Sequence, residues 1–168
     1  MTQPTEPPHP AGPTQSGRRV VVGVDGSPCS EKALRWAIVQ AQLTGARVEA
    51  VASWQDPVAS GHYSFGFSPV VTDDEDWAAI TEKHLQEAVG AAVDELHPDV
   101  PVVTRVVQGH PAQVLLDAAA GARSLVVGSR GHGTLAGMLL GSVSQHCVQH
   151  APCPVVDIPP DAPQESPS

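Results

Sequence analysis

Short aliphatic runs alternate with stretches of helical apolar spacing from residue 19 to residue 158, and no other feature of the chain restricts its fold as much. The runs are Arg19–Asp25, Val48–Trp54, Val100–Val107, Leu125–Val127 and Val155–Ile158. Between them, apolar residues return at i, i+3, i+4 and i+7, as on one face of an α-helix. Ala33, Leu34, Ala37, Ile38 and Ala41 do so in the first interval. Ile80, Leu85, Ala88, Ala92, Val93 and Leu96 do so in the second, and Val114, Leu115, Ala118 and Ala119 in the third. A fourth helix is expected from about Gly141 to His150. Strands joined through helices run parallel, and such crossovers are right-handed. The expectation is an α/β domain: a single doubly wound, Rossmann-like, five-stranded parallel sheet with helices on both faces.

Local signals mark where these elements start and stop. Ser27 suits an N-cap and Pro28 the first helical position, where a missing N–H costs nothing, while Gly45 ends the first helix near Thr44. Thr72 and Glu75 form a capping box for the second helix, which His97-Pro98 stops. Gly109-His110-Pro111 turns the chain into the third helix, and Gly121 closes it. Residues 55–71 form a long loop of the kind that is usually functional or mobile, read here as an adaptable surface loop ahead of a ligand lid. Residues 1–17 carry Pro4, Pro7, Pro8, Pro10 and Pro13 and few bulky apolar side chains, too little burial to offset the entropy of ordering. Residues 159–168 read the same way, so the folded unit is expected over 18–158, between two disordered tails.

Composition narrows the function classes. Aromatic residues supply only 4% of the chain, so the core must be built from Val, Leu, Ile and Ala, as suits strands buried on both faces. A net charge of -9 is the wrong electrostatic footprint for nucleic acid or an anionic membrane surface, so neither is an expected partner. Cys29, Cys147 and Cys153 form no dense framework, which fits a reducing compartment. No apolar stretch is long enough to span a bilayer, and the N-terminus lacks the apolar segment of a secretory signal. The expected location is cytoplasmic.

In a doubly wound sheet, ligands lie beyond the carboxyl ends of the strands, where the strand order reverses. Asp25, Ser53, Gly109 and Gly128 stand at such ends. After the fourth strand comes Gly128-Ser129-Arg130-Gly131-His132-Gly133-Thr134, with Gly141-Ser142-Val143-Ser144 where the last helix begins. The three glycines of the loop admit positive φ and close backbone approach to a ligand. A helix N-terminus offers free N–H groups and a partial positive charge, and Ser142 and Ser144 add hydroxyl donors. No Asp or Glu occurs between Asp117 and Asp157, whereas Arg123, Arg130 and three histidines do. The acid-free gap points to an anion site, although glycine-rich loops also serve as plain turns.

The spacing Gly128-x2-Gly131-x9-Gly141-Ser142 resembles the nucleotide-binding signature of ATP-binding universal stress proteins. Val20-Val-Val-Gly-Val-Asp-Gly-Ser27 resembles that family's first strand and turn, Gly109-His-Pro111 its third-strand turn, and Pro152-Cys-Pro-Val-Val156 its last strand. The resemblance implies an ATP-binding regulatory module. In it, the 128–134 loop with Ser129, Arg130, His132 and Gly133, together with Ser142, Val143 and Ser144, holds phosphates and ribose. Gly23 and Asp25 would lie beside the nucleotide, with Asp25 on a ribose hydroxyl or on a phosphate-bound Mg ion. The backbone near Ala52 and Ser53 would meet the adenine edge. The resemblance also implies a homodimer through the last strands, and an unpaired edge strand does invite another chain.

Efficient phosphoryl transfer is not expected. The P-loop pattern is absent, Lys32 and Lys83 are the chain's only lysines and lie far from the loop, and the loop supplies Arg130 and His132 but no acidic base. A dedicated enzyme is therefore not expected, and weak ATP hydrolysis is the most that is. Two other classes stand beside the binding module: a nucleotide-independent scaffold or chaperone, which the intact glycine spacing disfavours, and an adenylate-forming enzyme. Enzymes of the latter type carry an S-G-G-x-D-S loop after strand one, where this chain has Gly23-Val-Asp-Gly-Ser-Pro28. His146 and His150 share a helix face as a metal pair would, though cations near a helix C-terminus are the plainer account. Cys29, in the first turn of its helix, is read as a packed thiol ahead of a redox group.

Overall fold

A computed structural model describes residues 18–56, 76–131 and 137–161. The expected tail at 1–17, the 55–71 loop beyond Asp56, the Thr72–Glu75 capping box and most of the 159–168 tail lie outside the described residues. In chain order the elements are β1 (Arg19–Gly23), α1 (Pro28–Thr44), β2 (Arg47–Trp54), α2 (Trp77–Leu96) and β3 (Val102–Gln108). Then follow α3 (Pro111–Ala119), β4 (Ser124–Gly128), α4 (Ser142–His150) and β5 (Val155–Ile158). The sheet order is β3-β2-β1-β4-β5 and every pairing is parallel, with Val22 opposite both Ala50 and Val126. This is the doubly wound arrangement expected. The order reverses between β1 and β4, and β3 and β5 are the edges.

Alternation along the strands builds two cores. Val20, Val22, Val48, Ala50 and Val126 point to one face, where Leu34, Ile38 and Leu85 of α1 and α2 cover them. Val21, Val51, Leu125 and Val127 point to the other, under Val114, Leu115 and Cys147 of α3 and α4. The alanines of α1 (Ala33, Ala37, Ala41) are fully buried and let the helix lie close on the sheet. On the α3 side Glu49 is also buried, between Arg19 at 2.8 Å and Arg105 at 3.3 Å. Arg19 donates in addition to the carbonyls of Ala118 and Ala120 at the end of α3, a cation where the helix dipole favours one.

Several boundaries differ from the sequence expectation for local reasons. The β1 ladder stops at Gly23 rather than Asp25, although Val24 still donates to the Val51 carbonyl at 2.9 Å. The β3 ladder begins at Val102 because Pro101 has no N–H; it contributes only its carbonyl, to Val48 N–H. Helix α2 starts at Trp77, and its N-cap is Asp76, whose carboxylate accepts from Ala79 N–H at 3.1 Å. Ile80, placed on its apolar face by spacing, is exposed, while Val89 is buried. Helix α3 ends at Ala119, and Gly121 (φ 69°) turns the chain after it. Residues 159–161 are held by Lys32, whose Nζ donates to the Pro159 carbonyl and to Asp161. Among the described residues no helix is long and apolar enough to cross a membrane.

Candidate functional site

The turn after β1 is organised by its own side chains. Ser27 caps α1, its Oγ accepting from Ser30 N–H at 3.3 Å, with Pro28 in the first turn. Asp25 Oδ1 accepts from Ser27 N–H at 2.9 Å and from the Ser27 hydroxyl at 2.5 Å, and Ser30 Oγ accepts from Asp25 N–H. The Ser27 hydroxyl also reaches the Arg130 carbonyl at 3.4 Å, which joins this turn to the glycine loop.

Two glycines of the loop serve contacts within the protein. A Cβ on Gly128 would lie 2.7 Å from the Cys29 carbonyl carbon and Cβ and 2.9 Å from Ser30 N, so the glycine lets the first turn of α1 press against the end of β4. A Cβ on Gly131 would lie 2.5 Å from Asp25 Oδ2. Neither residue is among the positive-φ glycines, which corrects the expectation that the loop needs them for φ; close approach is what they provide. Gly23 has the same role beneath Leu115 Cδ1, at 2.8 Å.

Between these parts lies a cavity of about 270 Å³ at the carboxyl ends of β1 and β4. Gly23 at the end of β1 and Asp25 in the turn after it line it, with Gly128 at the end of β4 and Arg130 and Gly131 from the loop. Gly141, Ser142, Val143 and Ser144 line it from the start of α4. Gly141 is the N-cap of α4 and offers no side chain to cap it, so the first-turn amides have no side-chain partner from that position. Ser144 is buried and its hydroxyl donates to the Gly128 carbonyl at 2.6 Å, fixing α4 against the end of β4. Arg130 is exposed at the mouth.

Not every expected residue joins this cavity. The Ser129 side chain turns away and donates to the Asp157 carboxylate of β5. Ala52 faces the other side of the sheet, where it lines a larger cleft of about 620 Å³ between α1 and α2; Val51 and Ser53 are what β2 brings to the smaller cavity. Among the described residues the larger cleft carries Asp25, Glu31 and Glu87 against Arg35 and His84, an acidic excess that suits an anion poorly. His132 and Gly133 lie outside the described residues. Sequence reasoning missed Ser30 and the wall formed by Pro111, Val114 and Leu115. The signal for that wall was available: Pro111 opens a helix directly after β3, which puts another helix N-terminus at the same edge of the sheet.

The remaining polar candidates are placed more plainly. His146 and His150 are exposed and stacked, with ring centroids 4.4 Å apart, and His150 Nδ1 faces the His146 carbonyl at 3.0 Å. Among the described residues no cluster of three or more His, Cys, Asp or Glu is placed to hold a metal ion. Cys29 is buried in the first turn of α1. Burial pushes the Cys147 thiol up to about 11, and burial raises that of Cys153 as well, opposed by a backbone hydrogen bond and by Arg19.

Residues 17–159 match the model of the universal stress protein family. The universal stress protein Rv2005c of Mycobacterium tuberculosis is 40% identical over 137 residues, which are 82% of this chain and 44% of that protein. The chain thus spans less than half the length of these curated relatives. Among solved structures, a universal stress protein from Archaeoglobus fulgidus is 25% identical with a TM-score of 0.62, covering 83% of this chain and 97% of that one. A universal stress protein in complex with cAMP is 25% identical with a TM-score of 0.55, covering 84% and 95%. The chain belongs to the universal stress protein family.

Proposed function

We propose that the chain is an adenine-nucleotide-binding regulatory module that takes ATP, with Mg, at the carboxyl ends of β1 and β4. The observation that carries this reading is the cavity floored by the α4 N-terminus, whose N-cap Gly141 supplies no side chain, in a stretch free of acidic residues. One relative of this fold is described in complex with cAMP and another, from Archaeoglobus fulgidus, with dAMP, which supports a nucleotide as the anion. In this reading the phosphates lie over Ser142 and Val143 and beside Arg130, and the base lies towards Val51 and Ser53. Asp25 is a carboxylate lining the same cavity, so a polyphosphate there needs a counter-cation. A Mg ion bound through one carboxylate and the phosphates, keeping its remaining waters, suits that donor set. When bound, it would neutralise the phosphates; Asp25 is the residue of this chain that would hold it.

Four or five hydrogen bonds to charged oxygens, at roughly 1.5–3 kcal/mol each and less the ordering cost, reach the roughly -8 kcal/mol of a micromolar complex. Ligand-dependent regulation, not turnover, is the proposed role, because the cavity is lined by Arg130 but by no lysine to neutralise a transferring phosphoryl group. We also propose that the module pairs with a second copy through the β5 edge, consistent with relatives about twice its length. Equilibrium titration with MgATP, ADP and cAMP tests the reading: saturation in the micromolar range is expected. No binding up to millimolar MgATP would leave a nucleotide-independent scaffold, whereas rapid release of AMP and pyrophosphate would make the chain an adenylating enzyme.

A further inference from the structure

We propose that Asp157, on the edge strand β5, is a positioning residue for the anion cradle, holding the root of the glycine loop through Ser129. The proposal rests on the nucleotide reading above. Ser129 is 2% exposed and uses every polar group it has. Its N–H donates to the Ile158 carbonyl at 2.8 Å, and its carbonyl accepts from Gly141 N–H at 2.6 Å. Its hydroxyl donates to Asp157 Oδ2. Ser129 is where the chain leaves β4 for the loop, and Gly141 is where it enters α4, so one residue clamps both ends of the loop together. Asp157 fastens that clamp to β5.

Strand stability does not account for an aspartate at this position. Its neighbours on β5 are Val155, Val156 and Ile158, and Asp is disfavoured in strands. Its second oxygen, Oδ1, is buried without a hydrogen-bond partner among the described residues, an arrangement that costs free energy. A valine at 157 would serve packing better. What the side chain contributes is an acceptor that fixes the Ser129 hydroxyl, and with it the separation between Gly128 and Gly141 across which the anion must fit.

The double variant Ser129→Ala/Asp157→Val tests this, since removing both partners leaves no orphaned group and preserves folding. Its thermal transition should stay at or above that of the wild type. Its MgATP affinity should fall about fivefold or more, the lower end of typical coupling between sites. Asp157→Asn, which keeps an acceptor for Ser129, should bind MgATP like the wild type. Without nucleotide, hydrogen exchange at the Ser129 and Gly141 amides should speed up in the double variant and not in Asp157→Asn. Wild-type exchange at those amides in the double variant overturns the proposal, as does wild-type MgATP affinity in that variant or impaired binding in Asp157→Asn. Should the wild type itself fail to bind MgATP, the nucleotide reading falls, and the exchange rates still decide whether Asp157 positions the loop.

Discussion

Gly128→Ala separates a fold requirement from a ligand requirement. The added methyl would meet the Cys29 carbonyl carbon and Cβ at 2.7 Å and Ser30 N at 2.9 Å, against 3.4 Å for ordinary contact. Two of those three atoms are backbone in the first turn of α1, and no side-chain rotation relieves them. Relief requires moving the N-terminus of α1 away from β4 by several tenths of an ångström. Overpacking of this kind costs typically 1–3 kcal/mol, and three simultaneous short contacts place the cost near the top of that range, about 3 kcal/mol. At roughly 3 °C per kcal/mol for a domain of this size, the thermal midpoint should fall by about 10 °C. Gly131→Ala is the control. The methyl there meets only side-chain atoms of Asp25, and relief means turning that carboxylate against its hydrogen bonds from Ser27 rather than moving backbone, so the midpoint should fall less. Thermal denaturation of both variants and the wild type, followed by MgATP titration of each folded protein, gives the comparison. Gly128→Ala is expected to lose stability and binding together, and Gly131→Ala to lose binding with a smaller loss of stability. A Gly128→Ala midpoint equal to that of the wild type would refute the close-approach argument.

Two further outcomes follow from particular residues. The Cys147 thiol is raised from the ordinary 9.0 to about 11 by burial, so the unfolded chain ionises first and binds fewer protons between those values. Its stabilising effect is whole below pH 9.0 and is lost as the pH rises to about 11; urea midpoints of wild type and Cys147→Ala measured across that range should converge. His97 caps α2 in the left-handed region at φ 45°, where a side chain costs about 1 kcal/mol or more. His97→Gly should relieve that strain but gain entropy when unfolded, for a net stabilisation of about 0.5 kcal/mol by urea denaturation, and a lower midpoint would refute the strain.

The parallel sheet and the faces of α1 and α3 were legible because burial on both sides writes itself as aliphatic runs, and helical periodicity marks Leu34, Ile38, Val114 and Leu115. What the sequence could not show was register. Val51 and Ala52 look equally able to face a ligand until pairing with Gly23 fixes which side each takes, and that choice puts Val51 rather than Ala52 beside the expected Ser53 in the smaller cavity. The partners of serine hydroxyls were equally hidden. Ser129, Ser142 and Ser144 all read as phosphate donors, yet Ser129 and Ser144 are spent on Asp157 and the Gly128 carbonyl. A hydroxyl carries no directional mark in sequence, since its partner is set by tertiary distance.

The glycine spacing therefore carries less functional information than its resemblance implies, and the rest of the site carries more. Gly128 is required by the contact of α1 with β4, and Gly131 by the seating of Asp25, whether or not a ligand ever arrives. Both would be retained in a chain that had lost nucleotide binding but kept its fold. Three features have no such structural explanation. They are the α4 N-terminus whose N-cap is a glycine, the acid-free stretch from Ala118 to Val156, and the carboxylate of Asp157, one oxygen of which has no partner among the described residues, on an apolar strand. Fold stability alone would favour a serine or aspartate cap at 141, worth a few tenths of a kcal/mol over glycine, and a valine at 157. Gly141→Ser is accordingly expected to raise the thermal midpoint while its hydroxyl competes for the amides that would bind phosphate. A gain in stability accompanied by weaker MgATP binding would identify those amides as the anion site. Unchanged MgATP binding in the stabilised variant would move the site elsewhere.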